Sequence, residues 1–209
     1  MTYTLLADGT SDQVLIPIIN WSLQRWNIAP INPQWVDLGR IPRQPSPERR
    51  YRAVFELYPC DVLFVHRDAE AQPAELRRVQ IAENIAEVLG AAAGGAIQVL
   101  HIPVVPVRMT EAWLLADERA IRAASGNPNG NAELGLPDVR RLEELPDPKA
   151  TLFEALRRAS GLNAQRRSKF RARDRVRRIP DYIDDYSPLD VLPAFAALQT
   201  DIRGVQGQF

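Results

Sequence analysis

The feature that most constrains this chain is a change of polarity within one short stretch, Cys60 to Glu70. Val62-Leu63-Phe64-Val65 is an uninterrupted apolar run, the pattern of a strand buried on both faces inside a parallel sheet. His66, Arg67, Asp68 and Glu70 follow at once. Ligand crevices of open α/β sheets lie outside the carboxyl ends of the strands, so ionisable residues crowded there mark a candidate site. A strand running into an ordinary charged loop accounts for the same pattern.

The rest of the chain repeats the alternation. Tyr3 to Ala7 reads as a short strand, followed by Asp8-Gly9-Thr10-Ser11-Asp12 and a helix from Asp12 to Trp26. Thr10, Ser11 or Asp12 is placed to cap that helix. Gln34 to Leu38 is a second strand, Gly39 to Pro47 a proline-rich loop, and Arg49 to Tyr58 a helix. Pro73 opens a helix to Leu89, in which Ile81, Ile85, Val88 and Leu89 share one face. Ile97 to Val105 is the next strand and leads into a short helix capped by Thr110. Strand and helix in alternation predict an α/β fold with a mostly parallel central sheet, flanking helices and right-handed crossovers.

Beyond Ser125 the pattern changes. A Gly- and Asn-rich stretch to Pro137 predicts a flexible loop, and Asp147-Pro148 marks the start of a helix to Ala159. Ser187-Pro188 marks another, running to Asp201. The expected division is an α/β core over 1–125 and, over 126–209, the loop and a helical C-terminal extension packed on that core.

Composition matters here for where the charge sits. The 26 basic and 26 acidic residues balance, but Arg166 to Arg178 holds eight of the former and one of the latter. Arg166, Arg167, Lys169, Arg171, Arg173, Arg175, Arg177 and Arg178 are too dense for an ordinary solvated face, with Phe170, Val176 and Ile179 as candidate anchors. Sequence-independent binding of nucleic-acid phosphates is the simplest use; ion pairs with Asp181, Asp184 and Asp185, or an oligomer contact, are the alternatives. The lone cysteine, Cys60, excludes an internal disulfide framework, and a reducing cytoplasm is the expected setting. No signal peptide is expected, since Met1 leads straight into a strand. The uncharged stretch Val88 to Val107 is broken by glycines and prolines and predicts no membrane span.

Three acidic elements fall at strand ends: Asp8 (with Asp12 one turn on), Asp68 with Glu70, and Glu111. Carboxylates that converge repel one another unless a cation neutralises them, and an all-oxygen site with open positions suits Mg²⁺ or Mn²⁺. Such a site can clamp a phosphodiester and activate water. Read singly, Asp8 and Glu111 are helix-terminus acids.

The order strand, Asp8-Gly9-Thr10-Ser11-Asp12, helix, then strand and Asp68-Ala69-Glu70, then Thr110-Glu111-Ala112-Trp113-Leu114, resembles the Toprim fold. Topoisomerases, bacterial primases and the overcoming-lysogenization-defect nucleases share that fold. More narrowly, Glu111–Asp117, Asp147–Lys149 and Ser187–Phe195 resemble an uncharacterised bacterial Toprim-like family. The resemblance implies a metal-dependent phosphodiester-cleaving enzyme, a DNA or RNA nuclease in a bacterial defence or mobile-element setting, with an ATPase as partner subunit. Asp8, Asp68, Glu70 and Glu111 would hold Mg²⁺ or Mn²⁺, His66 would act as base or ligand, Arg67 would face the phosphate, and the arginine run would hold the substrate.

Two departures stand out. Asp8 occupies a position where Toprim proteins carry Glu, one methylene longer. Their Asp-x-Asp appears either as His66-Arg67-Asp68 with the first acid lost, or as Asp68-Ala69-Glu70 moved by two residues; the second keeps both carboxylates. These departures give the alternative expectation, a catalytically degenerate subunit that binds nucleic acid or protein within a larger complex.

Overall fold

A computed structural model describes residues 1–37, 41, 47–90 and 100–208. Four described strands, β1 (Thr2–Ala7), β2 (Asn32–Asp37), β3 (Val62–His66) and β4 (Leu100–Val104), form one parallel sheet in the order β2-β1-β3-β4. The order explains the patterning. In the two inner strands Tyr3 to Ala7 and Val62 to His66 are all buried. The outer strands each contain a proline, Pro33 and Pro103, which a strand with one unpaired edge tolerates.

The chain divides into two compact units, one of residues 1–105 and 197–209 and one of 106–196. In the first, helices α1 (Leu15–Arg25), α2 (Pro47–Leu57) and α3 (Ala74–Gly90) alternate with the strands. One sheet face, with Leu6, Val36, Leu63 and Val65, is covered by Tyr51, Val54 and Phe55 of α2 and Ile81, Ile85 and Val88 of α3. Each such side chain, fully buried, contributes about 1.5–3 kcal/mol. The helical face expected in α3 is therefore the buried one; the Leu89 side chain lies outside the described residues. Elsewhere in the sheet Tyr3 packs edge-on to Phe64 at 5.1 Å and donates a 2.9 Å hydrogen bond to Asn20 of α1.

The first unit is completed by residues far along the chain, on the part of α9 (Pro193–Gly204) that begins at Ala197. Gln199 donates to Ser22 at 2.6 Å and accepts from the Trp26 indole at 3.1 Å. Arg78 pairs with Asp201 at 2.7 Å.

The second unit contains only helices and turns among its described residues: α4 (Glu111–Leu114), α5 (Glu118–Ser125), α6 (Pro148–Ala159), α7 (Ala164–Arg167), α8 (Ala172–Val176) and the start of α9. Trp113, fully buried, meets Phe195 edge-on at 5.3 Å. Asp147 caps α6 through the Ala150 amide at 2.8 Å, with Pro148 in the first turn, as its sequence predicts. The α/β fold with a helical C-terminal region is thus the observed one.

Several local expectations need correction. The first helix does not start at Asp12; a 3₁₀ turn spans Thr10–Val14, and Val14 precedes α1 with no side-chain cap. Thr110 has helical backbone angles, φ −54° and ψ −31°, which keep its hydroxyl from capping α4. Ser187 opens a 3₁₀ turn and bonds back to Asp185 at 2.6 Å, while α9 starts only at Pro193. The Gly- and Asn-rich loop is irregular but tied down. Gly126 ends α5 at φ 85°, Asn127 donates to the Ala159 carbonyl at 2.9 Å, and Leu134 is buried. Most of the Gly39–Pro47 loop, and the start of the strand expected from Ile97, lie outside the described residues. Among the described residues no helix is long and apolar enough to cross a membrane.

Candidate functional site

Parallel pairing of β1 with β3, Leu6 opposite Val65, brings Asp8 and the segment His66 to Asp68 to the same carboxyl rim of the sheet. Asp8 is half exposed and lies 3.4 Å from the Arg67 Nε, so the pair occupies the solvent side of that rim.

Beneath it is a buried histidine. His66 ends β3 with a side chain only 2% exposed, and its Nδ1 lies 3.0 Å from the Val104 carbonyl oxygen of β4. A carbonyl can only accept, so Nδ1 carries the proton and Nε2 is the nitrogen turned outward. The same carbonyl accepts the Arg67 amide at 3.2 Å. Nε2 faces two carboxylates, Asp68 Oδ1 at 3.6 Å and Asp12 Oδ2 at 3.8 Å. Asp12 is held by its own turn: Oδ2 accepts from the Gly9 amide at 3.1 Å and Oδ1 from the Ser11 hydroxyl at 3.0 Å. Strands β3 and β4, with the turn after β1 and the loop after β3, thus set one imidazole against two acids.

Glu70 and Glu111 each have a basic partner of their own. Glu70 sits in the left-handed backbone region at φ 55°, which costs a non-glycine residue roughly 1 kcal/mol, and its exposed carboxylate is 3.9 Å from Arg77 of α3. Glu111 belongs to the second unit, where it opens α4 and lies 3.4 Å from Lys149. Among the described residues no group of three or more His, Cys, Asp or Glu is set to hold a metal ion. The donors do suit a different arrangement. Mg²⁺ retains most of its waters and is bound through one or two carboxylates plus substrate phosphate, and Asp12 and Asp68 offer such a pair of oxygens.

Asp12 is the residue that sequence reasoning undervalued. Its position in Asp8-Gly9-Thr10-Ser11-Asp12 reads as a helix cap, and the repeated acid in that turn was the available signal.

The basic run, in the second unit, forms two short helices, α7 and α8. Ala172, Val176 and Ile179 are buried and anchor α8, leaving Arg166, Arg167, Lys169, Arg171, Arg173, Arg177 and Arg178 exposed. Arg175 is half-buried, its guanidinium 5.9 Å from the centre of the Phe170 ring. Among the described residues Arg166, Lys169, Arg171, Arg173 and Arg175 have no carboxylate at ion-pair distance, and Asp184 pairs instead with Arg119 at 2.7 Å. Comparisons with protein-family models, with curated proteins and with solved structures found no match to this chain.

Proposed function

We propose that this chain is a metal-dependent enzyme that cleaves phosphodiester bonds, a DNA or RNA nuclease whose reaction centre is the carboxyl rim around His66. The observation that carries the reading is the orientation of His66. A buried imidazole fixed at Nδ1 by the Val104 carbonyl presents Nε2 to Asp12 and Asp68, beside an arginine whose own partner, Asp8, is solvent-exposed. In this reading Nε2 takes the proton of the attacking water, and the two carboxylates stabilise the imidazolium that results. Arg67 exchanges Asp8 for a phosphate oxygen, an acceptor that its planar fork fits equally well. Asp12 and Asp68, with Asp8 beside them, would hold Mg²⁺ or Mn²⁺. When bound, the cation supplies charge stabilisation at the attacking and leaving oxygens. The basic surface of the second unit retains the polymer by its phosphates.

The setting belongs to the same proposal: a reducing cytoplasm, consistent with the free thiol Cys60, and an ATPase as partner in a bacterial defence or mobile-element system. One observation favours a second reading, a degenerate binding subunit. Arg67 already neutralises Asp8, an acid expected to do chemistry.

Asp68→Asn separates the two. On the enzyme reading the variant stays folded and loses Mg²⁺- or Mn²⁺-dependent cleavage of plasmid and single-stranded substrates, Asp12→Asn behaves likewise, and His66→Ala lowers the rate less than either. Assayed with any partner subunit present, equal cleavage by wild type and Asp68→Asn, or none by either, leaves the binding subunit as the better account.

A further inference from the structure

The phenylalanine inside the basic run behaves unlike its neighbours. Ala172, Val176 and Ile179 already anchor the segment in the second unit, yet Phe170, at the turn between α7 and α8, is left half-buried. It lines an open groove of about 510 Å³, together with Leu162, Arg166, Lys169, Arg171 and Arg175. Among the described residues Asp174 is the one acid on the groove wall. One cation over the ring, as Arg175 is, stabilises the fold, but further cations gathered around it repel one another, and part of the aromatic surface stays in contact with water.

Both costs are offset by one kind of ligand, a polyanion that carries a flat apolar face between its charges. The groove is of the size that encloses one drug-sized group, on the order of a single nucleotide. A duplex keeps its base faces inside its own stack and has none to offer Phe170. An unpaired base has a free face, and stacking on an aromatic side chain with phosphates on flanking cations is how single strands are held without regard to sequence.

We propose that this groove binds single-stranded nucleic acid, with Arg166, Lys169 and Arg171 on consecutive phosphates and one base stacked on Phe170. Arg175, which now covers that ring, moves to the phosphate as the base enters. The choice of polymer rests on the proposed function and deepens it by naming the form of the substrate; the geometry is that of the second unit alone.

The test is fluorescence anisotropy of the full chain with a labelled oligothymidylate, a duplex of equal length and a poly-glutamate peptide, all in EDTA. The single strand is expected to bind more tightly than the duplex, and poly-glutamate not to compete. Phe170→Leu, which keeps apolar volume but removes the stacking face, should weaken single-strand binding by about tenfold or more and leave the weaker duplex binding unchanged. The triple variant Arg166→Glu, Lys169→Glu, Arg171→Glu alters exposed residues only. It should flatten the slope of log affinity against log salt by about 2, at roughly 0.7 for each single-strand phosphate that is no longer neutralised. The proposal is overturned if the intact chain binds no single strand at low salt, if duplex or poly-glutamate binds as tightly, or if neither variant changes the affinity. With divalent cations chelated, these outcomes are independent of cleavage, so a protein that binds as described but cuts nothing refutes the nuclease and keeps the groove.

Discussion

Arg67→Ala should separate the stability of this protein from its activity, because the two depend on the same side chain to very different extents. Arg67 and Asp8 are 3.4 Å apart with side chains 40% and 52% exposed. A pair that open to solvent is worth about 0.2–1 kcal/mol, and less as salt rises. No deep packing disappears with it, and the Arg67 amide keeps its bond to Val104 in the alanine variant. A charged hydrogen bond to a phosphate in the rim is a larger quantity, about 1.5–3 kcal/mol, or about 10- to 150-fold in kcat/KM. Urea unfolding should therefore show a loss below about 1 kcal/mol, while cleavage kinetics of the complete assembly show at least a tenfold loss. Arg67→Lys should restore only part of it, since a lysine offers a point charge in place of a planar fork. A stability loss above about 2 kcal/mol with unchanged kcat/KM would assign Arg67 to the fold and refute the clamp.

Two further predictions concern the second unit. Burial pushes the Glu143 carboxyl above its usual range, opposed by the Ala194 amide that donates to it at 3.0 Å. The proton is thus held more tightly in the folded chain. This contribution is fully present below the ordinary carboxylate range and is lost as pH rises through the raised value. Glu143→Gln keeps the acceptor and should gain stability relative to wild type across that window; denaturation curves at several pH values showing a flat or reversed difference would contradict this. Asp147→Ala should cost about 1 kcal/mol by removing the cap on Ala150, measured as a lower urea midpoint with an unchanged slope.

What the sequence could and could not disclose follows from the range of the interactions concerned. Val62 to Val65 was legible as an inner strand because burial on both faces leaves an unbroken apolar run, and Asp147-Pro148 because a cap acts within three residues. Thr110 and Ser187 carry the right side chains for caps, but capping requires a backbone bend that neither adopts as expected. At the rim, the position of Asp8 and Asp68 at strand ends was legible, whereas the Arg67–Asp8 pair and the His66 setting depend on which strands are neighbours. The fixed nitrogen of His66 is bonded to a backbone carbonyl 38 residues away, a group every residue possesses and no sequence pattern marks. Phe170 has the size and apolarity of an anchor for a charged segment, yet it is left half-buried while the much smaller Ala172 is buried.

The return of α9 to the first unit has a consequence for the order of events in synthesis. Ser22, Trp26 and Arg78 find their partners at Gln199 and Asp201, so the sheet unit cannot be completed from residues 1–105 alone. At about 5–20 residues per second, the intervening helical unit delays that completion by on the order of 5–20 s. Through that interval residues 106–196, contiguous in the chain, can fold as they emerge, while Ser22, Trp26 and Arg78 wait for partners not yet made. The last contacts of the sheet unit are therefore made by the end of the chain, after the whole helical unit has been synthesised.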